Sequence, residues 1–186
     1  MIKNRRVKFV VVAMLSILLV LYANVFVLNF LNYAGIKRNA DQLLHVMVAN
    51  EGKLNEEIAE ENGYDKEVAQ NTKYFTVEIY LGILIPDTTN ISSVSDEEAI
   101  QYTLKALNQD SNNGYVDNFR FEYDNVSGIL VFVDCSSNFE QAKTYLVSSI
   151  VVATVELAVA FVIVLTISGR VVKAEPKEAE KQPKLK

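Results

Sequence analysis

Two unbroken apolar runs bracket the chain, and a patterned polar stretch lies between them. The first run reads FVVVAMLSILLVLYANVFVLNFL from Phe9 to Leu31, and the second reads YLVSSIVVATVELAVAFVIVLTI from Tyr145 to Ile167. Each is 23 residues long, and a helix rising about 1.5 Å per residue needs about 20 to cross the hydrocarbon core of a bilayer. Two membrane-spanning helices are therefore expected, over 9–31 and 145–167. The first run is too long for a secretory signal and no small-x-small cleavage site follows it, so it reads as an uncleaved anchor.

Between the runs the period of the pattern changes several times. Tyr33, Ile36, Ala40, Leu43 and Met47 recur at helical steps, which predicts that the first membrane helix continues as a stalk. That stripe fits a short heptad seam or a helix packed on its own domain through Leu43, Leu44, Met47 and Val48. Residues 50–72 are polar, with room for one short helix at Leu54 to Glu60. Phe75, Val77, Ile79 and Leu81 then alternate with polar or amphipathic neighbours as in a half-buried strand. Gly82 offers a turn, and Ile83 to Ile85 a second strand ended by Pro86-Asp87. Ser95 with Glu98 forms a capping box for a helix that ends near Asn108. Phe119 to Asp124, an Asn125 to Gly128 turn and ILVFVDC predict a hairpin whose second strand is central, since it is apolar on both faces. Ser137 with Glu140 is read as a second capping box, launching the exit helix.

The expected fold is thus an α+β membrane protein. Two transmembrane helices flank a small extracytoplasmic domain, with a roughly four-stranded antiparallel sheet and helices on one side of it. The architecture is similar to that of PAS-like or Cache-like domains. The expected segments are a basic N-terminus at 1–8, a first span at 9–31, an outer domain with a helical stalk at 32–144, a second span at 145–167 and a tail at 168–186.

Charge sets the expected orientation. Lys3, Arg5, Arg6 and Lys8 precede the first span, and Arg170 and Lys173 follow the second. Cations on both flanks place both termini in the cytoplasm and residues 32–144 outside the cell membrane. Residues 34–144 carry 8 Lys+Arg against 19 Asp+Glu, a net charge of −11, so nucleic acid is not expected as a partner and anionic ligands are poor candidates.

Catalytic chemistry is sparse. His45 is the only histidine and Cys135 the only cysteine, so neither an intrachain disulfide nor a conventional multi-histidine zinc site or serine triad can be assembled. No GxxxxGK[ST], GxGxxG or HExxH occurs. No catalytic residue, cofactor or metal is expected; His45 reads as an ordinary exposed or stalk-packed residue and Cys135 as a small buried one.

Glu156 departs from its surroundings. It is twelfth of the 23 residues in the second run, at a depth where a charged side chain costs about 2.5–3.5 kcal/mol on insertion scales. Such a carboxyl is expected to be neutral or to face a polar partner. Asn24 and Ser16, at similar depth on the first helix, are the candidates within the chain. Glu156 of a second copy is the third.

The basic start MIKNRRVKFVVVAMLSILLV, then KYFTV, SSVSDEEAIQYTLKAL, GYVDNFRFEY, GILVFVDCS and a second run closing on SGRVVK together resemble the input half of bacterial two-component sensor histidine kinases. In that family the second span ends on R-[IV]-V-K-P and continues through an E-K-Q-K stretch into the helix bearing the phospho-accepting histidine. Arg170-Val171-Val172-Lys173 matches the first element and Glu180-Lys181-Gln182 most of the second. Ala174 stands where the family pattern has proline, and Pro176 and Pro183 are expected to interrupt the connecting helix. The chain holds neither the H-E-[LI]-K-T-P box nor the ATP-binding segments. The resemblance therefore implies a truncated signal-input module that relays an outer stimulus by helix shifts of about 1–2 Å. It also implies a homodimer formed through membrane helices and stalk, with the lipid bilayer and a full-length kinase as further partners. The other reading is a stand-alone membrane binding or scaffold protein that pairs with and modulates such a kinase or another membrane partner.

Overall fold

The computed structural model describes residues 2–179, with the side chains of 7–169. The side chains of Lys3, Arg5, Arg6, Arg170 and Lys173, and the segment holding Glu180-Lys181-Gln182 and Pro183, lie outside the described residues. The chain divides into two compact units, Met1–Leu31 with Ala142–Lys186 and Asn32–Gln141.

The first unit is a pair of long helices. Helix α1 spans Ile2–Ala49 and α5 spans Ser136–Ala179, so each runs without a break from one unit into the other. Both are long and apolar enough to cross a membrane. Within this unit Leu18, Leu21, Tyr22 and Val25 of α1 and Ile150, Ala153, Thr154 and Leu157 of α5 line one small shared cavity. The Asn29 amide donates to the Ser149 hydroxyl at 3.1 Å. The remaining circumference is apolar and open, as at Leu19, Phe26, Val155 and Val162. Helix α5 runs on past Pro176 to Ala179, where an interruption was expected. A single proline removes one amide and can kink a helix instead of ending it.

The second unit is built on a five-stranded antiparallel sheet in the order β2-β1-β5-β4-β3. Its strands are β1 (Tyr74–Tyr80), β2 (Ile83–Asp87), β3 (Asn113–Val116), β4 (Phe119–Asp124) and β5 (Ile129–Asp134). Helices α2 (Glu56–Glu61) and α3 (Lys66–Asn71) precede the sheet, and α4 (Asp96–Leu107) joins β2 to β3. A two-residue loop closes the β1–β2 hairpin, pairing Tyr80 with Ile83. Leu81 and Gly82 in that loop both have positive φ, 50° and 80°, the backbone signature of a type I′ turn.

Alternation along the strands sorts two cores. On one face Phe75, Val77, Phe119, Phe121, Leu130 and Phe132 pack with Ala99 and Ala106 of α4. Phe75 and Phe132, paired across β1 and β5, stack with ring centroids 4.5 Å apart. On the other face Tyr74, Val131 and Val133 pack with Leu43, Leu44 and Met47 of α1 and Ala59 of α2. Helices thus cover both faces, a correction to the expected one-sided arrangement. The reason is β5, whose run ILVFVD is buried on alternate residues both ways and so needs cover above and below. The α1 stripe accordingly serves self-packing at Leu43 to Met47, whereas Tyr33 is half exposed.

Other boundaries shift for local reasons. The fifth strand, β3, falls in the turn-rich DSNNG region. Its first two residues, Asn113 and Gly114, have little intrinsic β-preference, and the segment is held by register with β4, from Asn113 opposite Glu122 to Val116 opposite Phe119. The one expected short helix is two, capped by Asn55 and Asp65 side chains. The Ser95–Glu98 capping box is present in both directions. Helix α5 starts at Ser136, where the Asp134 carboxylate accepts from the Ser136 amide at 2.8 Å. The Asp134 side chain thus takes up a first-turn amide, and Ser137 already lies inside the helix.

Because Met47 is fully buried under the sheet, Met47→Ala is expected to destabilise the fold by about 2–5 kcal/mol. His45, two residues away with its side chain 81% exposed, is the contrast: His45→Ala should stay within about 0.5 kcal/mol. Thermal unfolding of the detergent-solubilised chain measures both.

Candidate functional site

Where α1 crosses the sheet, its polar side chains find partners. Arg120 on β4 is buried, its side chain only 6% exposed, and its Nε lies 2.5 Å from the Asp41 carboxylate of α1. One turn on, His45 Nδ1 lies 3.8 Å from Glu122. Arg120 donates also to the Asn113 side chain at 3.3 Å and stands over the Tyr115 ring at 4.8 Å. The Tyr115 ring meets Phe139, in the first turn of α5, at 5.7 Å, and Phe139 stacks on Tyr33 of α1 at 6.0 Å. Asp41, Arg120, Tyr115, Phe139 and Tyr33 thus join both long helices to the sheet. A buried guanidinium is costly without a carboxylate, which ties the position of α1 to this one charge.

Beside these contacts, within the same unit, lies a cleft of about 900 Å³. Its walls come from α1 (Ile36, Asn39, Ala40, Leu43), from α3 and its lead-in (Asp65, Val68, Asn71), and from the junction of β5 with α5 (Val133, Asp134, Ser136, Asn138). The floor is apolar and the rim carries amides, hydroxyls and carboxylates. That combination suits a small polar ligand. Ser136 donates from both its amide and its hydroxyl to the Asp134 carboxylate at the cleft edge, so the α5 N-terminus forms part of the wall.

Cys135 borders the cleft and is 2% exposed. Burial pushes its thiol above the usual cysteine range, against the opposing hydrogen bond from the Arg120 backbone. A thiol held protonated in this way is a poor nucleophile, in keeping with the small buried residue expected from its strand. Burial also raises Tyr74, whose phenol oxygen accepts from the Leu54 amide at 3.3 Å. Among the described residues no group of three or more His, Cys, Asp and Glu side chains could hold a metal ion.

Glu156, Asn24 and Ser16 are not brought together. All three are exposed in the chain, and the Ser16 hydroxyl donates to the Val12 carbonyl of its own helix at 3.0 Å. A polar contact between the two apolar helices is instead made by Asn29 with Ser149. Sequence reasoning passed over that pair because Asn29 and Ser149 sit near the ends of their runs and carry no charge. Tyr115, Arg120 and Asp41 were also missed as a set. Their separation in sequence hides the contact, and an arginine alternating with Phe119 and Phe121 on a core strand was the available signal.

Comparison with protein-family models, curated proteins and solved structures finds no match to this chain.

The Tyr115 hydroxyl is buried without a hydrogen-bond partner, and burial, followed by the neighbouring Cys135 thiol, pushes it from 10.0 up to about 12. An unsatisfied buried hydroxyl is destabilising, so Tyr115→Phe is expected to stabilise the fold near pH 7 by about 1 kcal/mol. Above about pH 10 the unfolded chain gives up this phenol proton while the folded chain keeps it. The associated stability is therefore present below pH 10 and is lost as the pH rises through about 12. Denaturation curves between pH 7 and 12 should fall more steeply for the wild type than for Tyr115→Phe.

Proposed function

We propose that this chain is a membrane-anchored signal-input module of the two-component sensor-kinase type, with its sheet domain outside the cell. The observation that carries the reading is the cleft of about 900 Å³, walled in part by α1 and in part by the first residues of α5. A ligand there touches both helices that continue into the apolar segments, so occupancy biases their relation directly. Packed helices respond to such a bias by small shifts, about 1–2 Å, because interdigitated side chains have discrete arrangements.

Three further features support it. Much of the outward surface of both helices is exposed and apolar, as at Leu19, Phe26 and Val162, which suits a lipid surrounding. The cations at Lys3, Arg5, Arg6, Lys8, Arg170 and Lys173 fit a cytoplasmic position for both flanks. The PAS- or Cache-like reading of the outer domain rests on its antiparallel sheet with β5 central, between β1 and β4, and helices packed against it.

The test fuses residues 1–173 to an intact histidine-kinase core and reads autophosphorylation in membranes. Asn39 is exposed on the cleft wall, so Asn39→Trp should occupy the cleft without disturbing the core. This variant is expected to change the basal phosphorylation rate several-fold. A well-folded fusion that keeps one rate with the wild-type domain, with Asn39→Trp and with the outer domain deleted would refute the relay.

A further inference from the structure

We infer that the corner of the sheet where β1 turns into β2 is a docking surface for an apolar segment, bearing Lys or Arg, of another protein. Of the eight large apolar residues left exposed in the unit Asn32–Gln141, five lie at this corner: Tyr80, Leu81, Ile83, Ile85 and Val126. Scattered exposed apolar residues are ordinary on a protein surface, whereas a group gathered in one place marks an interaction site. The register does the gathering. Tyr80 stands opposite Ile83 and Glu78 opposite Ile85, so these four side chains share one face of the sheet. The Asn125 to Gly128 turn closes the same end, since the Ile79 amide donates to the Gly128 carbonyl at 2.8 Å, and Val126 in that turn is 96% exposed. Cover on this face stops short of the corner. Gly52, just past α1, lies against the Thr76 and Ile129 side chains, and Tyr80 and Ile83 beyond them stay open.

Leu81 is a second, independent observation. It holds the first central position of the β1–β2 turn at φ 50° and is 85% exposed. That position favours Asn or Gly, so a leucine there opposes the backbone preference and buries nothing within the chain. Local rules broken without a gain to the fold point to a contact outside it. The charges around the corner choose the partner. Residues 74–104 and 121–142 hold no Lys or Arg. Glu78, exposed among Tyr80, Ile85 and Ile129, makes no hydrogen bond or ion pair with any described residue. At the margins Asp87 accepts from Thr89 and Asp124 from the Val126 and Ser127 amides, and Lys53 beyond Gly52 is already paired with Glu51 at 3.2 Å. An apolar segment carrying a cation therefore matches the surface in both respects. A second copy is a poor match, because its sheet unit is itself strongly acidic and two such corners face to face would set Glu78 against Glu78. Edge to edge, β2 turns Pro86 outward without an N–H. The same carboxylates repel an anionic lipid surface.

The probe is a fluorescein-labelled peptide that alternates leucine and lysine, titrated with the full chain in phosphatidylcholine nanodiscs and followed by fluorescence anisotropy. Empty nanodiscs are the blank, and peptides that alternate leucine with glutamate or serine with lysine are the controls. Saturable binding is expected for the leucine–lysine peptide and for neither control. Leu81→Asn installs the residue that the turn favours, and Ile83→Thr keeps a β-branched side chain in the strand. Together they should raise Kd about tenfold or more without lowering the thermal unfolding midpoint. Glu78→Gln alone should raise Kd about two- to fivefold, the range of an exposed ion pair. Leu104→Ser, at an exposed leucine of α4, should leave it unchanged. Equal binding of the three peptides, no binding of the leucine–lysine peptide, or a Kd that Leu81→Asn with Ile83→Thr does not move would overturn the inference. Pairing of two chains, or attachment of phosphatidylglycerol vesicles, that the same two substitutions abolish would also overturn it, since the surface would then belong to a second copy or to lipid.

Discussion

The sheet unit depends on one act of burial: the last turns of α1 lie on the face of the sheet that α4 leaves open. Leu44 and Met47 are almost wholly removed from solvent there. The central strand β5 makes this burial necessary, since Val131 and Val133 face α1 while Leu130 and Phe132 face α4. A strand apolar on both sides exposes a hydrophobic surface unless two layers close on it. Removing α1 from the sheet would therefore strip one of the two cores and leave Arg120 without its carboxylate. The same helix supplies one of the long apolar segments, so the stability of the domain and the position of α1 are one quantity.

That coupling explains why the cleft and the aromatic contacts matter more than their chemistry alone suggests. Asp41 sits 40% exposed, so its pairing with Arg120 is partly screened, yet the guanidinium it neutralises is buried. The pair thus acts as a register mark on α1: a slide of one residue would set the buried guanidinium against Ala40 or Gln42, neither of which carries a charge. Tyr33 and Phe139 extend the same constraint to α5. In the proposed relay a ligand in the cleft would press on α1 through Asn39 and Ala40 and on α5 through Ser136 and Asn138. A closely packed junction of this kind would pass such a load on as helix displacement instead of local softening.

The parts of the fold legible in the sequence were those with strong periodicity or a two-residue signature. The paired apolar runs, the alternation in β1, β4 and β5, and the Ser95–Glu98 box all reached the structure with small boundary shifts. Strand β3 was illegible because it is four residues long, begins with the turn-forming Asn113 and Gly114, and is fixed by its pairing with β4. The covering of both faces was written in ILVFVDC and yet misassigned, because a both-sided strand does not say which helices cover it. The cleft could not be read at all. Its walls come from three distant segments, and a concavity has no local sequence pattern.

Glu156 shows the opposite relation between sequence and structure. Its anomaly is purely compositional, a carboxyl near the centre of an apolar run, and the two candidate partners within the chain, Asn24 and Ser16, are not in reach of it. The fold of a single chain therefore leaves the anomaly standing. Local rules in natural proteins fail mainly where function or assembly requires it, and an exposed carboxyl among Val152, Val155 and Val159 is such a failure. Asn29 with Ser149 is the useful contrast. That pair satisfies itself within the chain across α1 and α5, whereas Glu156 is exposed and makes no bond to any described residue.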